Sequence, residues 1–272
     1  MLKPRLIPVL LFKNGVLVRS QQFDFYQSTG DPIGQVERFT DWKADELMYL
    51  DITQDEAYNS SGTMQVIGSG TSKKDNKVTT AHDFIEVVQE VAKRCFIPLT
   101  VGGKIRTLED ARIRLKSGAD KVSINTAALE RPEFITEVAE EFGSQAVVAS
   151  IDVLFKDGKR GVYSKGGTNA TGWEPVAWAK EVEGRGAGEI LLNSIDRDGM
   201  GNGYDLECVH SIASAVKIPV IAMGGVGEYK HFVEGLEAGA SAVAAANIFH
   251  FREQSIIEAK KVLKNAGISV RL

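Results

Sequence analysis

Short apolar runs rich in β-branched residues alternate along the chain with stretches of helical period. The strand candidates are RLIPVLLF (5–12), ELMYLDI (46–52), IPLTVG (97–102), KVSIN (121–125), AVVASIDV (146–153), EILLNSI (189–195), IPVIAM (218–223) and AVAAAN (242–247). Helical period falls near residues 31–43, 81–94, 107–116, 132–142, 174–185, 205–215, 228–238 and 253–266. Strands alternating with helices in this way build βα units on a parallel sheet. Some helix starts carry their own marks: Thr107 precedes LED as an N-cap, and Asp31-Pro32 places proline at a first helical position. Eight strands and eight helices in strict alternation predict a closed (β/α)8 barrel, the TIM-barrel class of α/β fold, and the length suits one.

The chain also echoes itself. IPLTVGGKIRTLEDARIRLKSGADKVSIN (97–125) aligns with IPVIAMGGVGEYKHFVEGLEAGASAVAAAN (218–247), allowing one-residue shifts. Each copy is a strand, a Gly-Gly turn, a helix, Gly-Ala and a strand, so strands 3–4 correspond to 7–8 in a barrel of two halves. An open doubly wound sheet would not need this echo. One segment is out of proportion: TQDEAYNSSGTMQVIGSGTSKKDNKVTT (53–80) is polar and far longer than ordinary βα loops. It follows strand 2 and so belongs on the C-terminal face, as a surface excursion, a lid or a partner-binding flap. The expected organisation is one barrel domain over 1–272 with this loop inserted at about 53–80.

Composition narrows the function classes. The chain is 43% hydrophobic and 25% charged, as soluble proteins are, and its net charge of −4 argues against nucleic-acid or membrane partners. No apolar run reaches membrane-spanning length, and Lys3, Arg5 and Pro8 interrupt any signal-peptide core. Cys95 and Cys208 lack CxxC or histidine spacing and read as inert thiols of a reducing, cytoplasmic compartment. No metal or cofactor motif appears.

Polar groups gather where strands end. Asp51 closes strand 2, Asn125-Thr126 strand 4, Asp152 strand 5 and DRDG (196–199), with Asp198, strand 6. Carboxylates on that rim can act as acid or base, or bind substrate hydroxyls; structural hydrogen bonding is the competing use. Gly102-Gly103, Gly199 and Gly224-Gly225 follow strands 3, 6 and 7. Bare backbone N–H groups ahead of a helix bind phosphate, and two such places related by the half-barrel repeat suit a substrate with an anion at each end. At the opposite face Arg5, Glu46, Lys121 and Glu189 stand at the starts of strands 1, 2, 4 and 6. On charge alone, that layer reads as a structural plug.

ADKVSINTAAL (119–129), FGSQAVV (142–148), GAGEILLNSIDRDG (186–199), GYDLE (203–207) and IFHFRE (248–253) resemble the HisF family, the cyclase subunit of imidazole glycerol phosphate synthase. The similarity spans the chain apart from 53–80. It implies a lyase-type (β/α)8 subunit of a glutamine amidotransferase, paired as a heterodimer with a HisH-like glutaminase at the N-terminal face. Ammonia would pass through the barrel and attack a doubly phosphorylated, ribonucleotide-derived acceptor at the C-terminal face. On this resemblance Arg5, Glu46, Lys121 and Glu189 become the ammonia gate and Asp120 the partner-docking residue. The substrate and phosphate contacts become Arg19, Asp51, Gly103, Lys104, Asn125, Thr126, Asp198, Gly199, Gly224, Gly225 and Asn247, and Asp152 the catalytic acid–base group.

The departures all lie at one end. Family cyclases read "IPCLDV" where this chain reads IPVLLF, so Leu11 replaces one of two acid–base aspartates. Losing one such group costs roughly 10²- to 10⁴-fold in rate. Lys104 replaces a third glycine, Met223 and Asn247 replace serines, and Arg19 replaces a lysine of the first loop. The pattern leads first to a paralogue that still receives ammonia but has left histidine biosynthesis, as in surface-polysaccharide clusters that amidate N-acetyl sugars. A divergent working cyclase with a replaced acid, and a non-catalytic scaffold that activates the glutaminase, are the alternatives.

Overall fold

The computed structural model describes residues 3–30, 33–54, 84–250 and 254–271. Eight parallel strands close on themselves: β1 (Arg5–Lys13), β4 (Leu47–Asp51), β5 (Leu99–Gly102), β6 (Lys121–Ile124), β7 (Val147–Lys156), β10 (Glu189–Ser194), β11 (Val220–Met223) and β12 (Ala242–Ala245). Pairings β12–β1 and β7–β10 complete the ring, which makes this a (β/α)8 barrel. Each of the eight strands read from the sequence is present, with ends that coincide or shift by at most three residues. The helices outside the barrel are α1 (Gly34–Asp41), α2 (Phe84–Ala92), α3 (Leu108–Lys116), the short α4 (Thr126–Glu130), α5 (Glu133–Phe142), α6 (Pro175–Gly184), α7 (Leu206–Ala215), α8 (Lys230–Glu237) and α9 (Ser255–Asn265). None of the described helices is long and apolar enough to cross a membrane.

Strict alternation does not hold. Two connections carry antiparallel additions: β2 (Val16–Gln21) and β3 (Phe25–Gly30) fold back from β1, while β8 (Lys159–Ser164) and β9 (Asn169–Ala170) fold back from β7. Both reversals are two-residue turns with left-handed backbone, Asn14 (φ 48) and Gly15 (φ 86), then Asp157 (φ 52) and Gly158 (φ 76). Asn-Gly and Asp-Gly favour this geometry because it matches the twist of the flanking strands. Helix α1 begins at Gly34, inside the expected 31–43, and Asp31-Pro32 lie outside the described residues. Thr107 does cap α3, in a capping box with Asp110. Of the long segment 53–80, only Thr53 and Gln54 are described.

Successive strand residues face opposite sides, which divides the buried side chains into two cores. Leu6, Leu10 and Phe12 of β1 face outward and pack with the helices. Ile7, Val9 and Leu11 face inward and fill the barrel with Met48, Val148, Leu191, Ile221, Met223, Ala242 and Ala244. Val16, Val18 and Tyr26 of the hairpin join this inner core, so β2–β3 folds over the C-terminal mouth. At the other end, buried Lys260 of α9 pairs with Asp45 at 2.9 Å, and Asp45 also accepts from the Leu6 N–H at 2.9 Å. That contact latches the last helix to the first strand. Cys208 is buried, whereas Cys95 is only half-buried; both are free.

Candidate active site

The inward positions at the C-terminal ends of β6, β7 and β10 are Asn125, Asp152 and Asn193. Asn193 sits directly beside Asp152 in the β7–β10 register, and Asn125 Nδ2 donates to Asp152 Oδ2 at 2.9 Å. Burial pushes the Asp152 carboxyl up to about 7; the amides of Asn125 and Asn193 oppose the shift and the charge of Asp198 adds to it. A carboxyl poised there near neutral pH can both accept and return a proton. Asp198, buried in the turn after β10, is likewise raised by burial. Leu11 lies 5% exposed, paired across the hairpin with Val18. Position 11, where the resemblance implies a second carboxylate, is therefore part of an apolar layer.

The hairpin brings groups that the strand pattern did not reveal. Tyr26 donates to the Phe23 carbonyl at 2.6 Å, and Lys13 stands 3.3 Å over its ring. Burial, then the charges of Asp198, Asp24 and Asp152, push its phenol up to about 12, so it stays protonated and keeps its donor. Gly199 packs against the same hairpin: a Cβ there would lie 2.3 Å from the Ser20 carbonyl oxygen. Gln22 N donates to Asp198 O at 2.9 Å, and Asn247 Nδ2 donates to Ser20 O at 2.8 Å. Arg19, Gly199 and Asn247 thus meet around one small cavity with Ser20, Gln21 and Phe25.

The remaining candidates are dispersed. Asp51 has the outward parity of Leu47 and Tyr49, and its Oδ1 accepts from Thr53 N at 2.9 Å, so it does not join Asp152. Gly103 turns with φ 103 against the Asp51 carbonyl, and Lys104 follows in the left-handed region with φ 53. Buried Arg114 of α3, absent from the sequence reading, holds this turn from behind, donating to Gly103 O at 2.9 Å and Lys104 O at 3.3 Å. Thr126 Oγ1 accepts from Lys165 N at 3.1 Å and so faces the β8–β9 connection. Gly224 nestles against Asn193, while Gly225 O accepts from Gly203 N at 2.7 Å.

The opposite mouth holds a closed ring of charge. Arg5 reaches Glu46 at 2.6 Å and Glu189 at 2.9 Å, and Lys121 reaches Glu46 and Glu189 at 3.1 Å each. Thr100 Oγ1 donates to Glu46 Oε1 at 2.8 Å. Burial works to lower the Arg5 pKa, yet Glu189 and Glu46 raise it on balance, so the guanidinium stays charged. Asp120 is exposed beside Lys121, with Oδ2 accepting from Leu99 N at 2.8 Å.

Residues 75–255 match the family model described as histidine biosynthesis protein. The imidazole glycerol phosphate synthase subunit HisF of Pyrobaculum aerophilum is 45% identical over 270 residues, 98% of each chain. A barrel of this form, matched over nearly its whole length, belongs to the HisF family.

Proposed function

We propose that the protein is the synthase subunit of a glutamine amidotransferase: it docks a HisH-like glutaminase at its N-terminal face and uses the released ammonia at its C-terminal face. The observation that carries this reading is the asymmetry between the two mouths. Buried ion pairs are often replaced by apolar residues at no cost to stability. Here a four-membered ring persists at one mouth, while at the other Leu11 stands where family members place an aspartate. Ammonia passage then requires the ring, and the altered chemistry requires an acceptor other than the cyclase substrate. Amidation of a phosphorylated or nucleotide-linked sugar fits: ammonia adds to a carbonyl-type carbon, Asp152 takes the proton that the nitrogen sheds and returns it to the oxygen, and the carbon–oxygen bond breaks with that oxygen leaving as water.

The second reading is a working cyclase of histidine biosynthesis, favoured by the identity to a curated HisF subunit and by Tyr26 as a second proton-bearing group near Asp152. One assay separates them. Purified protein is supplied with ammonia and the imidazole glycerol phosphate synthase substrate, with the P. aerophilum relative as control. Turnover more than 100-fold below the control is expected, and comparable turnover would reverse the order of the two readings. Mixing the chain with the glutaminase encoded beside it tests docking: association at micromolar concentration, weakened by Asp120→Ala, is the expected result. Failure to associate would leave the charge ring as a plug.

A further inference from the structure

Among the described residues Phe96 is the most exposed large apolar side chain, at 83%. A single apolar group in water is ordinary; its setting is not. Phe96 lies in the connection from α2 to β5, and helix-to-strand connections of a barrel open onto its N-terminal face. Cys95 and Ile97 on either side pack against the outer core, so the side chain between them is turned outward. Hydrogen bonds hold this frame: Cys95 N donates to Val91 O at 2.9 Å and Cys95 Sγ to Ile97 O at 3.2 Å. The same frame abuts the charge ring. Pro98 O accepts from Leu47 N at 2.9 Å, next to Glu46, and Leu99 N donates to Asp120 Oδ2 at 2.8 Å, next to Lys121. Exposed Lys93, Arg94 and Asp120 add polar groups to this edge. A fixed aromatic side chain with polar groups about it is the pattern of an interface hot spot.

We propose that Phe96 is the apolar anchor of the docking surface, received by an apolar socket on the glutaminase. The occupant follows from continuity: Phe96, Asp120 and two members of the charge ring share one frame at the mouth where ammonia must enter. An apolar contact there keeps water out of the junction, and water would protonate ammonia. A partner without the socket meets the Phe96 side chain as an obstacle, so the residue that strengthens one pairing excludes others. The inference rests on the amidotransferase reading and gives the partner's surface its chemistry.

Calorimetric titration of the intact protein and its variants with the glutaminase encoded beside it tests this. Phe96→Ser should weaken association about thirtyfold or more, as loss of a central aromatic does, and Phe96→Leu should recover most of the affinity. Because the side chain stands in water, Phe96→Ser should melt at the wild-type temperature. Phe155→Ser, which changes an exposed aromatic of the opposite face, should bind as wild type does. Wild-type affinity in Phe96→Ser, or an equal loss in Phe155→Ser, would overturn the proposal. So would a dimer of this chain alone that Phe96→Ser dissociates, since a second copy would then be the occupant. If Asp120→Ala weakens association and Phe96→Ser does not, this inference alone fails. If the wild type does not associate at micromolar concentration, the amidotransferase reading fails and takes the inference with it.

Discussion

An aspartate placed at position 11 would lie beneath Val18 and among Val9, Val16 and Met223, with little water to solvate its charge. Leu11→Asp should therefore lower stability by about 2–4 kcal/mol at neutral pH, through a buried, unpaired carboxyl. Urea unfolding measures that loss, and cyclase turnover should not rise. Asp152 is the converse case, a carboxyl kept in a setting that opposes its charge. Its folded pKa of about 7 lies above the ordinary 3.8, so between those values the folded state holds more proton than the unfolded state. Stability then falls as pH rises from about 4 to 7, by up to about 4 kcal/mol at 1.36 per unit. Asp152→Asn removes that penalty. Its melting temperature should exceed wild type by a margin that grows between pH 5 and pH 8, while ammonia-dependent turnover disappears. A mutant melting below wild type at pH 8 would contradict the burial argument.

The β2–β3 hairpin decides what the C-terminal mouth looks like, and Gly199 is where it touches down. Gly199→Ala would set a Cβ 2.3 Å from the Ser20 carbonyl and 2.8 Å from Gln21 Cα, both backbone atoms that cannot swing aside. The hairpin should lift. Limited proteolysis within residues 16–30 should accelerate several-fold, with little change in global melting because the barrel beneath stays paired. Much of this was open to reading in the chain. Asn14-Gly15 and Asp157-Gly158 are strong hairpin signals, but VLVRSQ and KRGVYS mix polar and apolar positions and pass for loop when only buried strands are sought. The eight barrel strands were legible because a strand covered on both sides reads as a continuous apolar run. Asp51 shows the limit: in such a run the inward and outward faces look alike, and a one-residue change of parity moves a carboxylate out of the barrel. Asn193 was passed over for the same reason, hidden in EILLNS beside the more conspicuous DRDG. Arg114 gave no signal, since an arginine on an amphipathic helix ordinarily faces water.

At the scale of the whole barrel, the charge ring makes a prediction about route. Lys121→Ala would leave Arg5 as the one cation shared by Glu46 and Glu189, a loss of about 3 kcal/mol for a partly buried network. With the acceptor in hand, glutamine-dependent turnover should fall at least fivefold more than turnover with added ammonia. Equal losses would mean that the ring only holds the barrel shut. The latch between Asp45 and Lys260 has a consequence in time. Both it and the β1–β12 pairing join segments more than 200 residues apart, so the pairing cannot form until residue 245 has been synthesised and the latch not until residue 260. Until then β1 waits as a bare sheet edge, its backbone N–H and C=O groups open on the side that β12 later covers. Synthesis adds roughly 5–20 residues per second, so this wait lasts on the order of ten seconds or more on each ribosome. Nascent chains on neighbouring ribosomes share that exposure, and a chain emerging more slowly prolongs it. Lys260→Met, which keeps the helix but drops the latch, should therefore lower soluble yield more at fast induction than at slow, a difference that equilibrium melting of the purified protein would not register.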